Sequence, residues 1–195
     1  MTARPIRRLR EVLVHANRFV RIHDDEVAFP DGSLGRYVRV TPAVEGVGVV
    51  LLAVCGGAVA LVHTYRYPLG SWQWALPRGF AQDTDPLVTA RAELREELGV
   101  TAVDLSVLGT FTPDSGLLST RVSVVRATLA DREVRPEDTN EVAAVRWIPA
   151  ADLWTMAADG TLDDGMTLAA MSLALASGAL PAPNARRGPA AANEG

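Results

Sequence analysis

Leu76-Pro77-Arg78-Gly79-Phe80, a polar connection over residues 81–85, and Pro86-Leu87-Val88-Thr89-Ala90-Arg91-Ala92-Glu93-Leu94-Arg95-Glu96-Glu97-Leu98-Gly99 form the stretch around which the chain is organised. Asp85 is placed to cap a helix, Pro86 suits its first position and Gly99 its end, so the pattern predicts one helix over residues 86–99. At about 100° per residue, Glu93, Glu96 and Glu97 fall within about one third of the helix circumference. Leu87, Ala90, Leu94 and Leu98 mark a separate apolar stripe. Arg91 and Arg95 fall on that side of the wheel or its flank. Like charges three and four residues apart destabilise a bare helix. The positions four residues after Glu93, Glu96 and Glu97 are Glu97, Val100 and Thr101, so no Lys or Arg relieves them. Uncompensated carboxylates on a rigid helix beside a glycine loop suit Mg²⁺, a hard cation held by a few carboxylates, waters and substrate phosphates.

Working outward, Val47 to Val54 reads as a continuous apolar strand, Gly56-Gly57 as a hairpin turn and Ala58 to Tyr67 as its return. Pro68 ends that run, and Trp72 to Leu76 is a short strand entering the loop. Beyond the helix, strands are expected at Leu105–Phe111, Thr120–Ala127 and Val142–Ile148. Pro149 opens a short helix through Leu153, Trp154 and Met156, and a last apolar helix runs from Asp164 or Gly165 to Ala176. Before the hairpin, Val12, Val14, Phe19, Val20, Ile22, Val27 and Phe29 alternate around the turn Pro30-Asp31-Gly32, predicting a thin antiparallel meander. Strands flanking one helix, with a late helix pair, predict a mixed α/β sandwich. The expected division is an N-terminal β subdomain over 1–44, a main domain over 45–180 and a disordered tail over 181–195.

Composition narrows the function classes. Apolar residues make up 48% of the sequence, which suits a packed core. A formal net charge of −4 gives no electrostatic reason to expect nucleic acid or an anionic membrane as partner. The single cysteine, Cys55, excludes an intrachain disulfide and a cysteine-based zinc site. The Arg-rich start lacks an apolar secretory core, and no run reaches membrane-spanning length, so the expected compartment is the cytoplasm.

Gly79, Glu93, Leu94, Glu96, Glu97, Gly99 and Val100 resemble the Nudix box, G-x5-E-x7-R-E-U-x-E-E-x-G-U. The lead-in from Val62 through Pro68, then Trp74-Ala75-Leu76-Pro77-Arg78-Gly79, is similar to that of ADP-ribose pyrophosphatase-type members. So is the entry Gly160-Thr161-Leu162-Asp163-Asp164-Gly165 to the last helix. The resemblance covers about residues 45–180 and implies a Nudix-type α/β/α sandwich with a mixed sheet. It also implies that the N-terminal meander is a dimerisation subdomain, so a homodimer is expected. Four departures stand out. The stretch between Gly79 and Glu93 is one residue short, its early glutamate position falls on Thr84 or Asp85, and the arginine before Glu93 is Ala92. The Ser-Pro-Gly loop of ADP-ribose enzymes reads Asp114-Ser115-Gly116.

The implied reaction is attack of water on a phosphorus of a diphosphate, with Mg²⁺ (or Mn²⁺) neutralising the phosphoryl oxygens. Glu93 and Glu97 are assigned as metal ligands, with Glu96 a ligand or the partner that orients the water. The resemblance adds the main-chain carbonyl of Arg78 to the metal set. A general base is needed, and the resemblance places it on the late acidic loop, where Glu141 is chosen, with Glu137 and Asp138 behind it. Arg66 is the candidate for a substrate phosphate or ribose, since guanidinium suits phosphate. Arg78, Phe80 and Trp74 are further candidates for lining the substrate site. The expected activity is hydrolysis of a nucleoside diphosphate linked to another moiety, with ADP-ribose or an ADP-sugar first. A nucleotide-sensing module that does not turn its ligand over is the alternative class, and other nucleotide sugars or dinucleotides the alternative substrates.

Overall fold

A computed structural model describes residues 4–183. The tail expected from Pro181 falls, from residue 184 onward, outside the described residues. Pro181 itself is tied down, its carbonyl accepting from the Trp154 indole at 2.8 Å.

The first sheet holds four strands, β1 (Arg7–Arg10), β2 (Leu13–Ala16), β3 (Val20–Ala28) and β4 (Leu34–Pro42). β1 and β2 pair antiparallel with the two ends of β3, and β4 pairs along its whole length. The meander expected from the alternation is therefore present, with its first strand broken at Glu11-Val12. The break has a cause. Asp25, buried on β3, accepts the Val12 N–H at 3.0 Å and the Arg39 Nε–H at 2.6 Å. Burial alone pushes the Asp25 carboxyl up, but the Arg39 and Val12 hydrogen bonds and the charges of Arg39 and Arg8 outweigh it and hold the group below the usual carboxylate range.

The second sheet is mixed and runs β11-β6-β5-β10-β9, with β7 beside β6 and β8 beside β5. Its strands are β5 (Gly48–Cys55), β6 (Ala58–Arg66), β7 (Ser71–Ala75), β8 (Arg78–Gly79), β9 (Asp104–Phe111), β10 (Val122–Thr128) and β11 (Val142–Pro149). β5 and β10 are parallel, and the other pairs are antiparallel. β5 and β6 pair only near their shared hairpin, at Val54–Val59 and Cys55–Ala58. Beyond it they part. β7 fills the gap along β6 and β8 along β5, while the Pro77 carbonyl accepts the Leu51 N–H at 2.8 Å. The loop Leu76-Pro77-Arg78-Gly79 is thus stitched into the middle of the sheet, where its backbone is fixed.

Side chains alternate across this sheet. Val50, Leu52, Val59, Leu61, Leu76 and Val124 pack against α2 (Leu153–Ala158) and α3 (Gly165–Ala176). Val49, Leu51, Ala60, Val62, Val125 and Ala127 pack on the opposite face against Ala90, Leu94 and Leu98. The result is the expected α/β/α sandwich. α2 begins at Leu153 and not at Pro149, because the Asp152 N–H first closes a turn onto the Pro149 carbonyl at 2.9 Å.

The acidic helix departs from a single α-helix. α1 covers Pro86–Glu93, with the Asp85 carboxylate accepting the Leu87 N–H at 2.8 Å, and passes into a π turn over Leu94–Leu98. The Glu96 carbonyl accepts the N–H groups of Glu137 and Asp138, both at 2.9 Å, and the Leu98 carbonyl accepts that of Arg135 at 2.8 Å. A loop from far along the chain therefore satisfies carbonyls that the helix end leaves free. Gly99 ends the turn with φ +68°, and a Cβ there would sit 1.8 Å from the Arg135 carbonyl oxygen. Arg91 and Arg95 are exposed, not on the apolar side, since the stripe that is buried comprises Ala90, Leu94 and Leu98.

Candidate active site

Glu93 and Glu97 are buried, at 7% and 5% exposure, where the loop from β8 meets the acidic helix. The Arg78 N–H donates to Glu97 Oε2 at 2.9 Å. Glu93 lies flat against Gly79, where a Cβ would stand 1.8 Å from its carboxyl carbon. Any side chain at Gly79 therefore expels Glu93, which is why the loop must carry glycine at that point. Gln82 Nε2 donates to Glu93 Oε1 at 3.2 Å.

No Lys or Arg forms a salt bridge with either carboxylate among the described residues. Burial raises the Glu93 carboxyl to about 7, helped by the charges of Glu96 and Glu141 and opposed by the Gln82 hydrogen bond. Burial raises Glu97 to about 8, helped by Glu93 and Glu141 and opposed by the Arg78 N–H and the charge of Arg66. Two desolvated oxygen donors that resist ionisation in each other's presence fit a hard cation.

Arg66, at the end of β6, brings the opposite demand. Its Nε and one terminal nitrogen are buried without a hydrogen-bond partner among the described residues. Desolvation, with the nearby charge of Arg78, lowers its pKa, while Asp164, Glu97 and Glu141 oppose the shift. The guanidinium thus stands beside the carboxylates without being bonded to them. Arg78 is turned elsewhere. Its guanidinium donates to both oxygens of Asp164, at 2.8 and 3.0 Å, and Asp164 caps α3 through the N–H and hydroxyl of Thr167. The side chain of Arg78 braces the loop against α3 and does not reach Glu93, Glu96 or Glu97.

The remaining predicted residues divide. Glu96 is half-buried and its charge acts on Glu93. Glu141 is exposed yet close enough to act on Glu93, Glu97 and Arg66. Glu137 belongs to the loop zipped to the π turn, and its carboxylate, 59% exposed, faces Arg95 at 3.9 Å. It is not gathered with Glu93 and Glu97. Asp138 is spent on its own loop, accepting the N–H groups of Asn140 and Glu141 at 2.9 and 3.2 Å. Trp74 lies on the other face of the sheet, stacked on His63 at 4.5 Å beneath the guanidinium of Arg146. Strand parity separates it from the carboxylates, because β7 pairs Trp74 with His63 while Arg66 projects to the face of α1. Phe80 is 78% exposed and lies at the seam with the first sheet, beside Phe19, Pro42 and Val44. Gln82 was missed by sequence reasoning, although Ala92, which leaves Glu93 without a cationic neighbour in sequence, was the signal to look for another donor.

Among the described residues, one set of three ligand-type side chains draws its donor atoms within 4.8 Å of one another, and it is Glu11, His23 and Asp25 on the first sheet. Charge argues against a cation there. Arg39 bonds both Glu11 and Asp25, and Arg8 lies 2.8 Å from Glu11, so two guanidiniums already balance the two carboxylates. The pair Glu93 and Glu97 has no such balance.

Comparison with known proteins agrees with the geometry. The family model for the NUDIX domain matches residues 43–170. The ADP-ribose pyrophosphatase of Mycobacterium tuberculosis is 30% identical over 145 residues, covering 71% of this chain and 68% of that protein. The CMP-5'-(N-acetyl-N-hydroxy-3-aminopropyl)phosphonate hydrolase of Streptomyces rubellomurinus is 27% identical over 140 residues, covering 71% and 67% respectively. A crystal structure described as an ADP compounds hydrolase superposes with a TM-score of 0.78 at 19% identity, over 90% of this chain and 95% of that one, a likeness of fold.

Proposed function

This chain belongs to the Nudix family and is a Nudix pyrophosphohydrolase, and from that premise we propose that it hydrolyses a nucleoside diphosphate linked to a second moiety. ADP-ribose or an ADP-sugar is the first substrate, giving AMP and a sugar phosphate. The observation that carries this reading is the adjacency of two opposite demands. Glu93 and Glu97 are buried carboxylates with no Lys or Arg salt-bridge partner among the described residues, and Arg66 beside them is a half-buried guanidinium with two buried nitrogens that find no acceptor there. A diphosphate with its divalent ion meets both at once.

Glu93 and Glu97 would hold Mg²⁺ or Mn²⁺, with Glu96 a further ligand or the group that orients the attacking water. A divalent ion bound there supplies charge neutralisation to the phosphoryl oxygens. Arg66 holds a phosphate or the adjoining ribose, and its planar fork fixes orientation as well as charge. Glu141 accepts the proton from the water, since it is the exposed carboxylate whose charge reaches the buried pair. Arg78 keeps the loop in register through Asp164.

The test is release of the matching nucleoside monophosphate, in Mg²⁺ and in Mn²⁺, from a panel of ADP-ribose, ADP-sugars, other nucleotide sugars, dinucleotides and a CMP-linked phosphonate. The last belongs in the panel because a curated relative is named for it. Nucleoside monophosphate release from one class supports the proposal. Calorimetric binding with no turnover over long incubation would replace it by nucleotide sensing. A homodimer belongs to the same reading, supported by the exposed apolar side chains of Leu13, Val14 and Phe19 on the first sheet. Light scattering at micromolar concentration is expected to return twice the chain mass, and a monomer removes this part. No helix among the described residues is long and apolar enough to cross a membrane.

A further inference from the structure

We propose that Gln82 is the positioning residue for Glu93, holding that carboxylate for a cation through its side-chain amide. The inference rests on the metal-site reading above and concerns a residue outside the acidic cluster.

Glu93 receives one side-chain hydrogen bond among the described residues, from Gln82 Nε2 at 3.2 Å. Its other flank is the bare Cα of Gly79. An ionised carboxylate only accepts, so the amide nitrogen, not the amide oxygen, must face it. The backbone of Gln82 is itself anchored, its N–H lying 3.4 Å from the hydroxyl of Thr89, which is fully buried on α1. Gln82 and Glu93 are therefore tied to the same helix from two directions, one through Thr89 and one through the carboxylate. Ala92, the residue before Glu93, has no side chain able to donate, and Asp85, which with Thr84 shares the early acidic position of the box, is consumed as the α1 cap. Gln82 is left as the group that fixes the orientation of Glu93.

The amide orients the Glu93 oxygens, as outer-shell partners of metal ligands do, in place of the arginine that Ala92 replaces.

The experiment is Mn²⁺ binding to the full chain, read from the free-ion electron paramagnetic resonance signal without substrate. Gln82→Met keeps the length and the backbone bond to Thr89 but removes the donor, and should raise the Mn²⁺ dissociation constant about 10-fold. In turnover assays the same variant should recover kcat at saturating Mn²⁺, with KM for the substrate unchanged. Should Gln82→Met not fold, Gln82→Asn, which shortens the reach by one methylene, carries the same expectation. A Met variant that binds Mn²⁺ like wild type overturns the inference. Glu97→Gln separates the two levels. If wild type fails to bind Mn²⁺, or Glu97→Gln binds it unchanged, the metal-site reading falls and takes this inference with it. If both behave as expected and only Gln82→Met is silent, the inference alone falls.

Discussion

Glu97→Gln is expected to lower turnover about 10³-fold and, at alkaline pH, to make the metal-free protein more stable. The two effects share a cause. Glu97 is buried, and burial together with Glu93 raises its carboxyl from the ordinary 4.5 to about 8. A carboxyl with a folded value above its unfolded one holds more protons in the folded state across that interval. The folded state therefore loses stability as pH rises from about 4.5 to about 8. At pH 5 the group is already protonated when folded, and glutamine changes little. Above pH 8 wild type carries a desolvated charge that glutamine lacks, while the glutamine carbonyl still accepts the Arg78 N–H. A gain of about 2 kcal/mol is expected there, discounted for relaxation of the site. Turnover should fall about 10³-fold, equivalent to about 4 kcal/mol of transition-state stabilisation. Chemical denaturation at the two pH values, with EDTA, reads the first effect, and AMP release reads the second. Equal stabilisation at both pH values would mean that a packing change and not the charge is responsible. Retained turnover would remove Glu97 from the metal site.

Why this much was legible, and no more, follows from the range of each signal. The Asp85 cap, Pro86 and Gly99 act within one turn, so the sequence alone locates the helix ends. The Gly56-Gly57 hairpin and the continuous apolar run of β5 are equally local, and from them the mixed α/β sandwich could be reached. The π turn was not legible. It is paired with N–H groups of Arg135, Glu137 and Asp138, which lie some forty residues later and leave no mark on the helix sequence. The same zipper turns Glu137 towards Arg95, so a carboxylate read as a candidate base is fixed on the wrong side of the loop. Trp74 failed for a different reason. Its proximity to the glycine loop in sequence is real, but a strand sends neighbours to opposite faces, and only the register with His63 shows which face is which. Arg78 was legible as a residue at the site but not in its role, since Asp164, its partner, is 86 residues away.

Arg66→Met is expected to lower kcat/KM by about 10²- to 10³-fold, while leaving the stability of the substrate-free protein unchanged or slightly higher. Two of its N–H-bearing nitrogens are buried without a partner, and that is the costly state for a polar group. Replacing it with an apolar side chain of similar length removes the unmet demand, so no folding penalty is due. Substrate binding should suffer in proportion to the bonds lost. Charge-assisted hydrogen bonds contribute about 1.5–3 kcal/mol each, and a forked pair to one phosphate gives the expected range. Arg66→Lys retains the charge without the fork and should recover only part of the loss. The division between constants tells which state the residue serves: a raised KM with kcat intact means that Arg66 holds the ground-state diphosphate, whereas an equal fall in kcat and kcat/KM means that its bond forms in the transition state. A second readout guards against a structural explanation. The positive charge of Arg66 helps to hold the Glu97 carboxyl down, so its removal should move the onset of Mn²⁺ binding to higher pH. A folded variant with wild-type kcat/KM would show that the orphaned guanidinium has no substrate to meet.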